Sequence, residues 1–314
     1  MNAAPAIEAL GLAKRFGRRT ALEDLSMTVG RGEVFGFLGP NGAGKTTAVK
    51  LLLGLIRATS GAAEVLGAPL GDLEARRSIG YLPELFRYQE WLTAREVLHF
   101  HANLIGIPRS GRRRMAAEAL DAVGLTSRAD SRVASFSKGM QQRLGIAVAI
   151  LGEPELIFLD EPTSALDPVG RRDVRGIVER LRARGATVFL NSHLLTEVER
   201  VCDRVAFVDA GRVIAEGSID EILGAPREVR LRLGNVGEAG ETLLRALGLC
   251  RSDPPWYTMR GLVDERIPSA IEQLVAAGVS IYAVESARAT LEDRFLQLLT
   301  ENDEDPSDHH DHNS

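Results

Sequence analysis

Apolar and polar residues alternate along residues 7–38, the pattern typical of β-strands with one buried face. The alternation is interrupted at residues 16–18 and 29–32, where glycine and charged residues indicate turns. Residues 7–38 are therefore predicted to form an antiparallel β layer. The segment 33–38 runs into a glycine-rich turn, and residues 46–55 then follow a helical period, so strand, loop and helix are expected in that order.

The middle of the chain, residues 92–151, has helical periodicity with short turns, which predicts an all-helical insertion over about residues 86–152. Beyond it, apolar strands alternate with amphipathic helices. The predicted strands are 156–159, 186–190 and 205–208, and the predicted helices are 168–184 and 194–202. Alternation of this kind predicts a buried parallel sheet with right-handed crossover connections.

A second series of strands and helices begins after the Ala-Pro pair 225–226, which indicates a domain boundary. The following segments read as β, α, β, α and β, with a closing amphipathic helix: 228–234, 240–247, 256–261, 267–277, 279–284 and 290–299. The pattern thus predicts a large α/β domain over residues 1–225 and a small α+β domain over 226–300. Residues 301–314 are acidic and polar, which predicts a disordered tail.

Composition narrows the class of protein. No segment approaches the ~18 consecutive apolar residues of a membrane-spanning helix, and the first residues lack a signal-peptide pattern, so we expect a cytoplasmic chain. A net charge of -5 argues against a nucleic-acid partner, because such proteins usually carry a basic surface. Cys202 and Cys250 are far apart and have no metal-ligand spacing around them, which predicts two reduced, structural thiols.

The glycine-rich turn contains a complete phosphate-binding motif. Nine consecutive residues carry the pattern G-x-x-x-x-G-K-[ST] and its flanking threonine: Gly39, Pro40, Asn41, Gly42, Ala43, Gly44, Lys45, Thr46 and Thr47. Its glycines let backbone N–H groups point at phosphates, and the following helix adds a favourable dipole. Lys45 supplies charge for the β- and γ-phosphates, and Thr46 supplies a hydroxyl ligand for Mg²⁺. The motif predicts binding of ATP with Mg²⁺.

Two adjacent acids end the predicted strand 156–159. Asp160 is placed to hold Mg²⁺ through water, and Glu161 is placed to polarise the attacking water as a general base. Two acids at a strand end can also be a solvated turn. Their combination with the phosphate motif favours the metal and base roles.

Two further segments, taken with these motifs, resemble the ABC (ATP-binding cassette) ATPase superfamily, and the resemblance runs over about residues 7–217. Residues 136–143 are similar to the ABC signature motif, although Lys138 and Met140 depart from its usual LSGGQ form. The resemblance implies that Ser137 and the backbone N–H of Gly139 contact the γ-phosphate bound to a second copy of the chain. Residues 164–167, with Ser164 and Asp167, resemble the D-loop at that dimer interface.

The resemblance also assigns roles to three isolated residues. His193 resembles the switch histidine that contacts the γ-phosphate and positions the water. Glu84 occupies the place where most of the family has the Q-loop glutamine, so contact with Mg²⁺ or with the water is implied. Phe16 occupies the place of the aromatic residue that stacks on adenine, and a phenylalanine in the core of a hairpin is the alternative.

The implied protein is a P-loop NTPase with a RecA-like core, the antiparallel layer, the helical subdomain and a C-terminal accessory domain. The accessory domain resembles that of ATPases of bacterial drug, antibiotic, lipid and polysaccharide exporters, and the segments 59–61, 91–96 and 289–295 are similar to that subfamily. By this resemblance the chain hydrolyses ATP as a nucleotide-sandwich dimer with itself, at the inner face of the cell membrane, and drives a separate multi-span permease.

The sequence is also compatible with two other functions. One is an ABC ATPase acting on ribosomes, DNA or an assembly factor without a membrane partner; the double cassettes and zinc insertions usual in such proteins are not found in the sequence. The other is a regulatory ATP-binding module without hydrolysis, which the presence of Asp160, Glu161 and His193 disfavours.

Overall fold

The computed structural model describes residues 4–164, 166–224, 228–252, 255–260, 266–287 and 290–304. The chain divides into two compact units, the first formed mainly by Met1–Ile219 and the second by Asp220–Thr300. The division precedes the boundary expected at residues 225–226, which lies outside the described residues.

Ten strands of the first unit form one sheet. They are β1 Ile7–Phe16, β2 Arg19–Val29, β3 Val34–Leu38, β4 Ser60–Val65, β5 Ala68–Pro69, β6 Ile79–Leu82, β7 Leu156–Asp160, β8 Thr187–Asn191, β9 Arg204–Asp209 and β10 Arg212–Ser218. Their order across the sheet is β5-β4-β1-β2-β10-β9-β3-β8-β7-β6. Strand β1 pairs antiparallel with β2 and β4, whereas β9, β3, β8, β7 and β6 pair parallel to one another. The predicted antiparallel layer and parallel core are both confirmed.

The helices of the first unit are α1 Lys45–Leu52, α2 Leu73–Arg77, α3 Ala94–Leu104, α4 Arg109–Ala122, α5 Lys138–Ala149, α6 Pro168–Ala183 and α7 Leu195–Val201, and α8 Ile219–Leu223 begins at the last residue before the second unit. Helices α3 to α5 form the predicted helical insertion. Helix α3 begins at a capping box, in which the Thr93 hydroxyl accepts from the Glu96 N–H and the Glu96 carboxylate accepts from the Thr93 N–H. No helix among the described residues has the length and apolar character needed to cross a bilayer.

The core of the first unit is the parallel part of the sheet. Strands β3, β7 and β8 are buried at all five of their positions. They read as unbroken apolar runs because parallel strands are covered on both faces. Phe189 lies at the centre, with ring centroids 5.8, 5.2 and 5.0 Å from those of Phe35, Phe37 and Phe158. This packing fixes the carboxyl ends of the three strands relative to one another.

Replacement of Phe189 by alanine is expected to lower the free energy of unfolding by about 3–5 kcal/mol, because it leaves a cavity among three other rings. Phe100→Ala is the matched control, since Phe100 is 49% exposed and its removal should cost about 1 kcal/mol or less. Urea unfolding of both variants measures the difference. Equal losses would contradict the central position given to Phe189.

The second unit is a four-stranded antiparallel sheet with helices. Its elements are β11 Glu228–Gly234, α9 Glu238–Ala246, β12 Cys250–Arg251, β13 Trp256–Arg260, α10 Ile267–Ala276, β14 Ser280–Ala287 and α11 Leu291–Glu304. The strand order is β12-β13-β11-β14. Its core packs Val229, Leu231 and Met259 from the sheet against Leu244 and Leu274 from α9 and α10. The elements follow the predicted order, with the short strand β12 added.

One expectation for the C-terminus is wrong. Residues 301–304, predicted to begin a disordered tail, are the last turn of α11. A helix already nucleated can add polar residues at its end, because propagation fixes one residue for each hydrogen bond formed. The remaining tail, residues 305–314, lies outside the described residues.

Candidate active site

The carboxyl ends of β3, β7 and β8 meet at one edge of the parallel sheet, beside the start of α1. A cleft of about 300 Å³ opens there. It is lined by Arg19, Ala21, Asn41, Gly42, Gly44, Lys45, Thr46, Thr47, Glu84, Asp160, Glu161, Asn191 and His193. The structure thus brings together most of the phosphate motif and all four residues predicted for metal binding and catalysis beyond it.

The loop between β3 and α1 depends on its glycines. Gly42 and Gly44 have φ angles of 89° and 100°, in the left-handed region that favours glycine. A Cβ on Gly44 would also lie 2.4 Å from the carbonyl oxygen of Ala21, and a Cβ on Gly39 would lie 2.2 Å from that of Val208. The loop can therefore take this compact shape only with glycine at these positions.

Lys45 is held inside this loop. Its Nζ donates to the carbonyl oxygens of Gly39 at 2.8 Å and Pro40 at 3.0 Å, and the residue is 8% exposed. Burial lowers the pKa of Lys45, while the nearby carboxylates of Glu161, Asp160 and Glu84 raise it. A cation surrounded by three acids and backed by a helix N-terminus is suited to bind the phosphates of a nucleotide.

Asp160 is 2% exposed at the end of β7. Burial raises the pKa of its carboxyl group, and the negative charges of Glu84 and Glu161 add to the effect. The amide of Asn191, which donates from Nδ2 to Asp160 Oδ1 at 2.5 Å, and the charge of Lys45 act in the opposite direction. A further positive charge at this position would stabilise the ionised carboxylate.

The oxygen donors near Asp160 fit magnesium. The hydroxyl of Thr46 and the carboxylates of Asp160 and Glu84 line the same cleft, and hard oxygen ligands are those that Mg²⁺ prefers. The described residues hold no group of three His, Cys, Asp or Glu side chains arranged as a metal site. Mg²⁺ in nucleotide sites does not require one, because it is usually bound by one or two carboxylates, water and phosphates.

Glu161 has a strained backbone and a fixed side chain. Its φ angle is 52°, uncommon for a residue with a side chain, and its N–H donates to the carbonyl oxygen of Asn191 at 2.8 Å. Its Oε2 lies 2.8 Å from His193 Nδ1. Glu161 is buried whereas half of the His193 side chain is exposed. The imidazole therefore contacts the buried carboxylate on one side and the open cleft on the other.

The residues of the two motifs expected at a dimer interface lie outside the cleft lining. Ser137, Lys138, Gly139 and Met140 form the N-terminus of α5, where the Ser137 hydroxyl accepts from the Met140 N–H at 3.3 Å. Asp167 caps α6 by accepting from the Gly170 N–H at 2.7 Å. The Ser164 hydroxyl donates to the Glu161 carbonyl oxygen at 3.3 Å. Within one chain, these side chains organise turns and helix ends.

Phe16 is at the end of β1 and is 51% exposed. The Lys14 ammonium lies 4.8 Å from the centre of its ring. The alternative that this residue is part of the hairpin core is therefore wrong. An exposed ring remains available to stack on a planar ligand.

Sequence reasoning missed three lining residues: Arg19, Ala21 and Asn191. The first two belong to β2 and reach the cleft only through tertiary packing. Asn191 had a recognisable signal, since a polar amide ends an otherwise apolar buried strand.

A larger cavity of about 640 Å³ lies between α4, the loop before β7 and the end of α6. Its lining mixes apolar residues with Glu118, Asp121, Glu153, Glu155 and Arg184. It does not include the phosphate loop or the Glu161–His193 pair. The smaller cleft is therefore the site with the chemistry of phosphate transfer.

A buried lysine in a glycine loop, paired acids at the end of β7 and a parallel sheet define a P-loop ATPase. A family model described as "ABC transporter" matches residues 22–164. The chain belongs to the family of ABC transporter ATP-binding proteins. It is 42% identical over 286 residues to an uncharacterised ABC transporter ATP-binding protein of Nostoc, a match that covers 90% of this chain and 84% of that protein.

Two relatives have more specific names. The chain is 37% identical over 296 residues to the fluoroquinolones export ATP-binding protein of Mycobacterium tuberculosis, covering 93% of this chain and 92% of that one. It is 32% identical over 304 residues to the linearmycin resistance ATP-binding protein of Bacillus subtilis, covering 93% and 97%.

Solved structures agree with the fold. An ATP-binding subunit of an ABC transporter superposes with a TM-score of 0.63 at 30% identity, covering 86% of this chain and 99% of that one. An ATP-binding cassette dimer in a post-hydrolysis state, bound to ADP and Pi, superposes with a TM-score of 0.61 at 25% identity, covering 68% and 98%. The P-loop NTPase fold and the ATPase class are thus confirmed.

Proposed function

We propose that this chain is the ATP-hydrolysing subunit of an exporter, working as a dimer on the inner face of the cell membrane and driving a separate permease. The observation that carries the catalytic part is the 2.8 Å contact between Glu161 and His193 beside the lysine-bearing phosphate loop. The export part is supported by relatives named for fluoroquinolone export, linearmycin resistance and bacitracin transport.

The phosphate loop, Gly39 to Thr47, binds the triphosphate. Lys45 neutralises the β- and γ-phosphates, and backbone N–H groups at the start of α1 donate to their oxygens. Thr46, Asp160 and Glu84 are the groups that would hold Mg²⁺, which supplies positive charge to the phosphate oxygens when bound. Phe16 stacks on the adenine.

Hydrolysis rests on Glu161. Its carboxylate accepts the proton of the attacking water, a role that requires it to be ionised and close to the γ-phosphate. His193 holds Glu161 by the contact at Nδ1, and the exposed half of its side chain is available to contact the γ-phosphate. The strained φ of Glu161, maintained by the hydrogen bond from its N–H to Asn191, keeps the side chain in the cleft.

A second copy completes each site. The N-terminus of α5 presents the exposed side chains of Ser137 and Lys138. Backbone N–H groups at a helix start attract anions, so this end of α5 suits the γ-phosphate bound to the partner, with Gly139 allowing close approach and Met140 closing the turn. Ser164 and Asp167 then lie at the interface, and the Lys138 ammonium adds a positive charge.

Two inactive variants should restore activity to each other when mixed. Lys45→Ala disables the phosphate loop and Ser137→Arg disables the signature turn. A mixed dimer still has one site with both parts intact. We expect partial ATPase activity from the mixture and almost none from either variant alone, measured by phosphate release.

The control is a mixture of Lys45→Ala with Glu161→Gln, in which every site lacks a working phosphate loop or a working base, because both changes affect the same half-site. Activity in this control, or none in the first mixture when dimers are shown to exchange, would contradict the shared site.

A further inference from the structure

The side chain of Asn191, which lines the cleft, has not yet been given a role. Asn191 ends β8, and its register partner on the neighbouring parallel strand is Asp160, the last residue of β7. Both residues are 2% exposed. The two polar side chains therefore form a pair at the edge of an otherwise apolar sheet, on the side where the nucleotide cleft opens.

In the side-chain amide of Asn191, the nitrogen forms a hydrogen bond and the oxygen does not, among the described residues. Its Nδ2 donates to Asp160 Oδ1 at 2.5 Å. Its Oδ1 is buried and accepts no hydrogen bond from any described residue. Turning the amide over would place a carbonyl oxygen against a carboxylate oxygen, so the present orientation is the one that an ionised Asp160 selects. A buried acceptor without a donor is unfavourable, and such groups in proteins usually have a partner.

The main chain of Asn191 forms a hydrogen bond with Glu161, the second acid of the site. Its carbonyl oxygen accepts from the N–H of Glu161 at 2.8 Å, next to the strained φ of that residue. One residue therefore holds both acids of the site, Asp160 by its side chain and Glu161 by its backbone. Substituting the side chain removes the first contact and leaves the second, which makes the two functions separable by experiment.

We infer that Asn191 is a positioning residue for magnesium-dependent nucleotide binding. Its amide occupies one oxygen of Asp160 and leaves the other for the magnesium site, while its Oδ1 accepts from a water that arrives with the magnesium nucleotide. The inference rests on the proposed function, because it assigns a role within that same site. Groups that orient a metal ligand in this way typically change metal affinity by 10- to 100-fold when removed.

The test compares Asn191→Leu with Thr187→Val in the full chain. Leucine resembles asparagine in size but has no donor or acceptor. Thr187 is the matched control, because it is also 2% exposed, starts the same strand and loses a hydrogen bond to the N–H of Gly32 when replaced. Binding of a fluorescent ATP analogue is measured at increasing MgCl₂ and, separately, in EDTA.

For Asn191→Leu we expect the MgCl₂ concentration at half-maximal binding to rise about 10- to 100-fold, with binding in EDTA unchanged. Thr187→Val should match the wild type in both conditions. An unchanged magnesium midpoint in Asn191→Leu, or an equal shift in Thr187→Val, would overturn the inference. If Asn191→Leu does not fold, Asn191→Ala replaces it with the same expectation. A wild-type protein that binds no ATP would instead contradict the proposed function.

Discussion

Glu161→Gln is expected to reduce kcat for ATP hydrolysis by a factor on the order of 10²–10⁴, the usual contribution of a general base, while ATP is still bound. Glutamine has nearly the same shape but cannot accept the proton of the attacking water. Lys45, Asp160 and the phosphate loop remain in place, so the nucleotide keeps its main contacts. The measurement is phosphate release together with equilibrium binding of ATP.

The same variant should accumulate as a closed dimer in ATP, because bound nucleotide is not consumed. Size-exclusion chromatography with and without ATP detects the change. Glu155→Gln is the control, since Glu155 precedes the same strand at its opposite end and its exposed carboxylate pairs with Arg31. Turnover close to that of the wild type in Glu161→Gln would exclude Glu161 as the base.

Lys45→Ala is expected to weaken ATP binding by about 10- to 100-fold, the effect of losing hydrogen bonds to a charged group. Turnover should fall further, by a factor on the order of 10²–10³, because the positive charge also stabilises charge developing in the transition state. The decrease in ATP affinity should be larger than for replacement of an ordinary surface lysine. Without the Lys45 ammonium, the carboxylates of Glu161, Asp160 and Glu84 face the phosphates with no compensating cation.

Lys50→Ala is the matched control, an exposed lysine on the same helix. Fluorescence titration with an ATP analogue and thermal unfolding are measured on both proteins. Lys50→Ala should behave as the wild type. Equal ATP affinity in the two variants would show that Lys45 does not bind phosphate, and a Lys45→Ala protein that is unfolded at the assay temperature would be recognised in the melting curve.

The parallel core could be predicted from the sequence because its strands carry a strong local signal. Strands β7 and β8 each consist of five consecutive buried residues, and most of these residues are apolar. Such short apolar runs are typical of strands in a parallel sheet that is covered on both faces. Strand β4 was missed because its sequence, SGAAEV, contains glycine and alanine, which have low strand propensity. Its strand conformation comes from pairing with β1, a tertiary effect that no local pattern contains.

Part of the candidate site could likewise be predicted from local sequence, and part of it depends on tertiary contacts. The phosphate loop is continuous in sequence, so its residues and its position between β3 and α1 could be predicted together. Arg19 enters the cleft from a hairpin far from the loop, and the pair between Asp160 and Asn191 joins residues 31 positions apart. The positive φ of Glu161 could not be predicted either, because nothing in the side chain favours it and the surrounding hydrogen bonds impose it.

We propose that ATP hydrolysis in this chain serves a membrane permease. The most direct test is to express Glu161→Gln in the native host, solubilise the membranes with ATP and Mg²⁺ present, and identify the proteins that copurify by mass spectrometry. Lys45→Ala, purified in the same way, shows which partners are independent of ATP. We expect one multi-span membrane protein enriched with Glu161→Gln; recovery of only ribosomal or other soluble partners would contradict the account.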